Sequence, residues 1–349
     1  MILIDFNSLL FQYTHSCISI LKLKPQENGK YNINDFIIQL KTFLLNELFN
    51  IQKTYINYGD IVLCVDNTVG GNWRKNIFKD YKKSRTTLYK DKSNPIPFYE
   101  LFTHISELLK NISLNTNWKV ISVENAEADD CILCLANTYK NEQILIISSD
   151  KDMIQAQKNP NVKQFSPLLK KYINYSTKDT GSLDEWILEH VILGDTADDI
   201  PRIFDNTEYT EVFKEFLQNN NLSTSEKDFE NLDDNIIEEF SQKYPKENIW
   251  IKQRIGTKTI QKMIQNNTIH EFINKYKDNY ERNKLLILGE NIPKNIQENI
   301  IKEFSKEKCI TEKSTENFID YLTKENMFNV ISNLPFNFIK KEVTIDDFL

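Results

Sequence analysis

Short apolar runs that end in aspartate recur along the first half of the chain. Asp5 closes MILID, Asp66 follows IVLCV, and Asp150 and Asp152 follow ILII. Short apolar runs of this composition, bounded by polar residues, are typical of buried strands. We therefore predict several strands, each with a carboxylate at its carboxyl end.

Apolar residues at helical spacing separate these runs. Between the predicted strands at 120–123 and 144–147, they recur at i, i+3, i+4 and i+7 from Ala128 to Tyr139, which predicts one helix. Strand, helix and strand in this order indicate a βαβ unit. The pattern predicts an α/β fold with a central, mostly parallel sheet flanked by helices.

A second group of acidic residues lies at the start of the predicted central helix. Glu127, Asp129 and Asp130 fall in its first turn, where the helix dipole favours negative charge. Ligands bind at the carboxyl ends of strands in open parallel sheets, so we expect these residues to converge with the strand-end aspartates. Oxygen donors without a Cys or His pattern suit Mg²⁺ or Mn²⁺. The alternative is a capped helix beside a solvated acidic loop.

Composition narrows the class of protein. The chain has 349 residues, of which 40% are hydrophobic and 27% are charged, as in ordinary globular proteins. No apolar run approaches the roughly 20 residues of a membrane span, and Met1 leads directly into a strand, so no signal peptide is expected. Five cysteines fit a reducing, cytoplasmic compartment. Cys131 and Cys134 form a CxxC inside an apolar helix, which favours core packing over redox or zinc chemistry.

The net charge of −7 is unevenly distributed, because one stretch is strongly basic. Its cations, interleaved with Trp73, Phe78 and Tyr81, are Arg74, Lys75, Lys79, Lys82, Lys83 and Arg85. This composition is typical of surfaces that bind phosphates and stack on bases. A solvated helix face is the alternative.

The second half of the chain carries weaker signals. Asp195 and Asp198 are three residues apart, a spacing that places both on one side of a helical turn. Gly256, followed by Thr257, Lys258 and Thr259, begins a predicted helix whose amino terminus suits phosphate. The sequence contains no Walker A loop, and the four histidines lie outside the acidic motifs.

Several of these stretches together resemble the 5′ nuclease superfamily, which includes flap endonucleases, the 5′ to 3′ exonuclease domain of bacterial DNA polymerase I and bacteriophage T4-type RNase H. The matching motifs are LIDF, CVDN, YKKSR, ENAEADD, IISSDKD and ILGDTADDIP, in the family's order. The likeness is strongest to the T4-type RNase H. It implies a PIN/FEN-like, Rossmann-like fold and two Mg²⁺ ions, with Mn²⁺ as a substitute.

The resemblance also implies roles for individual residues. Those expected to bind metal are Asp5, Asp66, Glu127, Asp129, Asp130, Asp150, Asp152, Asp195 and Asp198. Those expected to assist catalysis are Tyr81, Lys82 and Arg85. The residues expected to bind nucleic acid are Arg74, Lys75, Lys79 and Lys83, from the composition of the basic stretch, and Gly256, Thr257, Lys258 and Thr259, from the reduced helix-hairpin-helix motif.

The implied organisation is a nuclease core over residues 1–201 with a helical arch at about 85–112. An insertion follows at 202–253, then a helical duplex-binding region at 254–335 and a tail at 336–349. Two departures from the family occur. Asp199 and Arg202 replace its Asn and Gly after Asp198, and the helix-hairpin-helix motif is reduced to Gly256–Thr259.

The implied function is 5′ to 3′ exonuclease and flap endonuclease activity on DNA and RNA·DNA hybrids, including RNA primer removal, by a monomer. Phe348 and Leu349 in the tail resemble peptides that bind sliding clamps, with a frayed terminus as the alternative; a single-stranded DNA-binding protein is a further expected partner. A phage origin fits the same likeness. The alternatives are a PIN-like RNA endonuclease and a non-catalytic DNA-binding protein.

Overall fold

The computed structural model describes residues 1–67, 71–85, 94–175, 182–204, 207–222, 233–244, 256–308 and 310–334. The chain divides into unit 1, residues 1–175 and 288–349, and unit 2, residues 176–287. Phe348, Leu349, residues 86–93 of the predicted arch and much of the predicted insertion lie outside the described residues.

Six strands form one sheet in unit 1. They are β1 (Ile2–Asp5), β2 (Ile61–Cys64), β3 (Lys119–Ile121), β4 (Ile144–Ile147), β5 (Val162–Ser166) and β6 (Lys171–Ile173). Their order is β3-β2-β1-β4-β5-β6, and all neighbouring pairs are parallel except β5 and β6. This confirms the predicted α/β class.

Fourteen helices lie within the described residues. Unit 1 contains α1 (Phe6–Ile20), α2 (Ile37–Thr54), α3 (Arg74–Ile77), α4 (Phe98–Asn115), α5 (Ala128–Thr138), α12 (Lys294–Phe304), α13 (Glu312–Lys324) and α14 (Phe328–Ser332). Unit 2 contains α6 (Leu183–Leu193), α7 (Thr207–Asn219), α8 (Asp234–Lys243), α9 (Thr257–Gln265), α10 (Ile269–Lys275) and α11 (Lys277–Ile287). Among the residues described, no helix is both long and apolar enough to span a membrane.

The sheet is covered on both faces because its strands alternate between two cores. Ile2 and Ile4 join the core that contains α1, α2, α4, α13 and α14. Leu3 faces the opposite core, which is built largely by α5 and α12. Burial on both faces explains why the strands are continuous apolar runs and not alternating ones.

The strand order creates a topological switch point. From β1 the chain adds β2 and β3 on one side, then crosses to add β4 on the other side of β1. Such a point opens a crevice at the carboxyl ends of the strands. The strands of the predicted βαβ unit, β3 and β4, are therefore not neighbours, since β1 and β2 lie between them.

The carboxyl-terminal helices differ from the predicted organisation. Helices α12, α13 and α14 contribute to the cores of unit 1, and not to a separate helical region with α9. The chain re-enters unit 1 at residue 288 and packs closely against α5. At Gly289 an added Cβ would lie 2.8 Å from Leu133 Cδ1. Residues 98–112 of the predicted arch belong to α4, which buries Leu101, Ile105 and Leu108 in the core.

The described residues of unit 2 form two small cores. One joins Ile192, Ile203 and Phe204 to residues of α9 and α10. The other is formed by aromatic residues of α7 and α8, with Phe213, Phe216 and Phe240 at its centre. Within the predicted insertion, Ile203 and Phe204 thus belong to the first core, and the two described helices α7 and α8 share the second.

Candidate metal and nucleic-acid site

Carboxylates from three strand ends and one helix start lie together in unit 1. Asp5 ends β1, Asp66 follows β2 by two residues, and Asp150 follows β4 by three. Asp129 is in the first turn of α5. The charges of Asp5 and Asp150 are close enough to raise the pKa of Asp129. Of the acidic residues that the sequence predicted to converge, Asp129 thus lies close to Asp5 and Asp150, and their role in metal binding stays a prediction.

Hydrogen bonds fix the Asp5 carboxylate. Asp5 is 7% exposed, and its Oδ1 accepts from the backbone N–H of Ser8 at 3.0 Å. Its Oδ2 accepts from Ser148 Oγ, also at 3.0 Å. Ser148 directly follows β4, so this bond joins the two strands at the switch point. Ser148 was not among the predicted site residues, although it lies within the SSDKD motif.

Asp66 connects the end of β2 to the start of α5. Its Oδ1 accepts from the backbone N–H of Ala128 at 2.8 Å, a free donor of the first helical turn. Its own N–H donates to Asn7 Oδ1 at 3.1 Å. The Asp66 residue is exposed, but its carboxyl group lies among protein atoms, so solvent screens only part of its repulsion with neighbouring carboxylates.

Asp150 and Asp152 begin a 3₁₀ segment, Lys151–Lys158. Asp150 Oδ1 accepts from the backbone N–H of Asp152 at 2.8 Å. Gln164 of β5 donates from Nε2 to the Asp150 carbonyl at 2.6 Å. These bonds hold the backbone of the acidic turn against the sheet.

The pKa values show the electrostatic cost of this cluster. Burial raises the pKa of Asp129 well above its usual range, and the charges of Asp150 and Asp5 raise it further. Burial also raises the pKa of Asp5. Burial and the charge of Glu127 raise the pKa of Asp66 to about 6. Each carboxyl thus resists ionisation, and a cation held among them would remove that penalty.

The donor set fits a hard divalent cation. Asp5, Asp66, Asp129 and Asp150 offer carboxylate oxygens, which are the ligands that Mg²⁺ and Mn²⁺ prefer. The nearest thiol, Cys64, is fully buried in β2, and burial raises its pKa well above the usual value. A neutral thiol does not compete for a metal ion, since the thiolate is the ligand.

Glu127 belongs to a separate, paired part of the site. Its Oε1 lies 2.7 Å from Lys82 Nζ, and its Oε2 accepts from Tyr81 OH at 2.7 Å. Burial alone would raise the pKa of Glu127, but the charges of Lys82 and Arg74 outweigh it and lower the pKa to about 2. Glu127 is therefore ionised at neutral pH without a metal ion.

Asp130 is bonded to Trp73, Arg74 and the backbone of Glu127. It is fully buried, and its Oδ2 accepts from Trp73 Nε1 at 3.1 Å and from the backbone N–H of Glu127 at 2.9 Å. Arg74 Nη2 lies 2.8 Å from Asp130 Oδ1. The metal role expected for Asp130 stays a prediction, and these contacts give it a structural one.

Arg74 differs from the exposed, phosphate-binding residue that the sequence predicted. It is 4% exposed, and its guanidinium stacks over the Trp73 ring with 4.4 Å between the charge centre and the ring centroid. It also bonds to Glu127 Oε2 at 3.2 Å. Arg74 of the basic stretch is therefore buried, because the buried carboxylates of Glu127 and Asp130 require a counter-charge.

The remaining basic residues of this stretch are more accessible. Lys79 is exposed, Lys75 is partly exposed, and Lys83 is 70% exposed and paired with Asp80 at 2.9 Å. Arg85 is one of the charges that lower the pKa of Asp5. Tyr81, by contrast, is 2% exposed and contacts Glu127.

The remaining predicted residues lie in unit 2. Asp195 is 5% exposed and caps the 3₁₀ turn Thr196–Asp198, and its Oδ1 accepts from the N–H of Ala197 at 2.8 Å. Gly256 caps α9, with Thr257 and Lys258 exposed beside it. The nucleic-acid role of Gly256–Thr259 stays a prediction.

Comparison with known sequences places these motifs in a family. The sequence profile described as "5′-3′ exonuclease, N-terminal resolvase-like domain" matches residues 1–184. Ribonuclease H of Enterobacteria phage T4 is 29% identical over 198 residues, which cover 56% of this chain and 62% of that protein. A 5′-3′ exonuclease of Buchnera aphidicola is 31% identical over 171 residues, covering 46% of this chain and 53% of that protein. The chain thus spans between half and two thirds of these relatives.

Comparison with solved structures supports the fold. A T5 5′-exonuclease structure with bound divalent zinc ions has a TM-score of 0.51 at 13% identity, covering 93% of this chain and 98% of that chain. The T5 D15 protein co-crystallised with metal ions has a TM-score of 0.50 at 14% identity, with the same coverage. At this identity the likeness shows a shared fold.

Proposed function

Because the chain belongs to the 5′-3′ exonuclease family with the N-terminal resolvase-like domain, we propose that it is a divalent-metal-dependent nuclease. It hydrolyses phosphodiester bonds at the 5′ ends of DNA and of RNA·DNA hybrids, and it cleaves 5′ flaps. The observation that carries this proposal is the convergence of Asp5, Asp129 and Asp150 beside the Lys82 ammonium. Removal of RNA primers is the cellular role that this activity fits.

Magnesium is the proposed cofactor, with two ions. Asp5, Asp66, Asp129 and Asp150 of unit 1 would hold the first. Asp195 and Asp198 of unit 2 are proposed ligands of the second, and Asp152 of unit 1 stays a proposed metal ligand. When bound, the ions would supply a water of lowered pKa and positive charge for the attacking and leaving oxygens. The carboxylates determine where a phosphodiester can lie, because a polyanion cannot approach them unless their charge is balanced.

Lys82 is the residue best placed to contact the scissile phosphate. Its side chain is 14% exposed, and its ammonium lowers the pKa of Asp5, Asp66 and Asp129. The backbone φ of Lys82 is 50°, a left-handed conformation that costs about 1 kcal/mol for a side chain of this type. Strain of this kind concentrates at functional sites. Lys82 would donate to a phosphoryl oxygen as negative charge develops there.

Tyr81 acts through Glu127 in this proposal. Its hydroxyl is buried against Glu127 Oε2 and so orients the carboxylate that holds Lys82. Glu127 therefore keeps the ammonium charged and directed, while Tyr81 keeps Glu127 in place. Arg85 supplies further positive charge near Asp5.

The exposed lysines supply affinity for the nucleic acid. Lys75, Lys79 and Lys83 in unit 1, and Lys258 at the start of α9 in unit 2, would contact backbone phosphates. Phosphate contacts release counter-ions, so binding should weaken steeply with added salt. These contacts carry no base sequence information, which fits an enzyme that recognises ends and flaps.

Digestion of 5′-labelled substrates tests the proposal. The purified full chain is incubated with an RNA·DNA hybrid or a 5′-flap duplex, with Mg²⁺ or with EDTA. We expect Mg²⁺-dependent release of short 5′ products and a loss of at least about 100-fold in rate for Asp129→Asn. Glu124→Gln, which removes an exposed carboxylate from the same segment, should cleave like the unmodified chain.

Two results would overturn the proposal. One is an Asp129→Asn variant that cleaves as fast as the Glu124→Gln control. The other is salt-dependent binding of both substrates with no cleavage in Mg²⁺ or Mn²⁺, which would favour a non-catalytic binding protein.

A further inference from the structure

The loop that carries Asp195 and Asp198 is closed on itself. The N–H of Asp195 donates to the Ile200 carbonyl at 2.9 Å, and the N–H of Ile200 donates back to the Asp195 carbonyl at 2.8 Å. Gly194 has a φ of 66°, and a Cβ there would lie 2.4 Å from the Ile200 carbonyl oxygen. The loop therefore has a narrow neck, where residues on either side of the acidic turn lie against each other.

One side chain of α11 spans this neck. Asn283 is fully buried, and its Nδ2 donates to the Val191 carbonyl at 3.0 Å and to the Pro201 carbonyl at 2.8 Å. Val191 precedes the loop and Pro201 follows it. A single amide thus uses both of its hydrogens to fix the distance between the two arms of the loop.

The orientation of this amide is determined by its neighbour. Asn283 Oδ1 accepts from Arg282 Nε at 3.1 Å and from Nη2 at 3.0 Å. A guanidinium only donates, so the atom facing it must be the amide oxygen, and the two donors must face the neck. Arg282 Nη1 also donates to Asn279 Oδ1 at 3.0 Å. Asn279 in turn binds the Ile203 carbonyl at 2.7 Å, beyond the neck.

We infer that Asn283 is a positioning residue that sets the geometry of the Asp195 and Asp198 carboxylates for metal binding. This inference rests on the proposed function, which assigns those two aspartates to the second ion. Leucine, aspartate and serine could not donate both of these hydrogen bonds. Leucine has no donor, ionised aspartate has none, and serine has only one. Losing both bonds would leave two buried carbonyls unpaired and free the arms to separate.

The test compares Asn283→Leu with Asn279→Leu. Both variants lose an α11 amide that binds backbone carbonyls, but only the first loses the bonds across the neck. For Asn283→Leu we expect the Mg²⁺ concentration at half-maximal cleavage to rise about tenfold or more, while KM for the 5′-labelled flap substrate changes less than about twofold. Asn279→Leu should keep the Mg²⁺ dependence of the unmodified chain. The Tm of both variants is measured as well, so that a loss of stability can be told apart from a change in the Mg²⁺ requirement.

A second variant and a second readout keep the inference testable if Asn283→Leu does not fold. Asn283→Ser retains one donor and should give a smaller rise in the Mg²⁺ requirement. Binding of Mn²⁺ followed by electron paramagnetic resonance reports metal affinity without catalysis. An unmodified chain that binds Mn²⁺ but does not cleave would contradict the proposed function, while weaker Mn²⁺ binding by Asn283→Ser would still support the positioning role. Equal Mn²⁺ affinity and equal Mg²⁺ dependence in the Asn283 and Asn279 variants would overturn it.

Discussion

Lys82 Nζ lies 2.7 Å from Glu127 Oε1 at the edge of a carboxylate cluster. Acidic residues of this site fall into two classes, those paired with protein cations and those whose pKa is raised by burial. Glu127 already has its counter-charges, and its pKa is lowered to about 2, whereas burial and neighbouring charge raise the pKa of Asp129. Glu127, in the first class, holds the Lys82 ammonium in place. Asp129, in the second, would provide oxygen ligands for a metal ion.

Replacing Lys82 should impair catalysis more than binding. Lys82→Ala removes the cation proposed to stabilise charge on the phosphoryl oxygens, so we expect kcat for the flap substrate to fall about 100-fold or more. Lys83→Ala removes the adjacent lysine, which is 70% exposed and paired with Asp80. It should change kcat less than about threefold. Equal kcat values for the two variants would exclude a direct role for Lys82.

The metal-free protein should lose stability as the pH rises. The Asp129 carboxyl has a pKa near 3.8 when unfolded and a raised pKa when folded. Its contribution to stability is therefore complete below about pH 4 and is lost as the pH rises through the folded pKa. Asp129→Asn should therefore stabilise the metal-free protein at pH 8 and have little effect on its stability at pH 4. Thermal unfolding in EDTA at pH 4 and pH 8 measures this difference.

Metal ions should reverse the loss of stability at high pH. Mg²⁺ would bind the ionised carboxylates, so it should raise the Tm of the unmodified chain more at pH 8 than at pH 5. Asp129→Asn should show a smaller increase at pH 8. An Asp129→Asn variant that is less stable than the unmodified chain in EDTA at pH 8 would contradict this account of the cluster.

The adjacent residue should respond in the opposite direction. Asp130 is fully buried against Arg74, so Asp130→Asn leaves the guanidinium with less counter-charge and should destabilise the protein by about 1–3 kcal/mol. Arg74→Gln leaves the buried Asp130 without its counter-charge, while Glu127 keeps Lys82, and the expected loss is about 3–5 kcal/mol. Urea unfolding measures both, and Lys79→Gln, at an exposed site, is the control. Stabilities within about 0.5 kcal/mol of the control would contradict the pairing.

A buried ion pair should show that the carboxyl-terminal helices stabilise unit 1. Lys41 Nζ in α2 lies 2.5 Å from Glu325 Oε2 at the end of α13, and the Lys41 side chain is fully buried. Glu325→Ala leaves a buried ammonium unpaired and should cost about 3 kcal/mol. Lys41→Met combined with Glu325→Gln should cost less, because no charge then remains buried. The exposed Glu316→Ala in α13 is the control; a Glu325→Ala variant as stable as this control would contradict the prediction.

Sequence patterns predicted the parts of the fold that depend on local chemistry. The strand at 144–147 was predicted from a short apolar run, and the structure gives the same residues. Asp5, Asp66 and Asp150 lie at or just after the ends of β1, β2 and β4, as the pattern predicted. The likeness to the 5′ nuclease superfamily, read from motifs, is confirmed by the family match over residues 1–184. Both signals lie within continuous stretches of sequence.

Features that depend on distant partners were not predicted. Arg74 was interpreted as a surface cation because its neighbours are basic, but its partners Glu127 and Asp130 lie more than fifty residues away. Helical spacing predicted the helices after residue 288 without showing that their apolar faces pack in unit 1. Asn283 has no motif, because its role depends on the carbonyls of Val191 and Pro201.

The most direct test of the central claim is a crystal of the full chain soaked in Mn²⁺ and measured at the manganese absorption edge. The account predicts an anomalous peak within bonding distance of carboxylate oxygens of Asp5, Asp129 and Asp150, and its loss in Asp129→Asn. Peaks confined to other surfaces, with these three carboxylates unbound, would contradict the account.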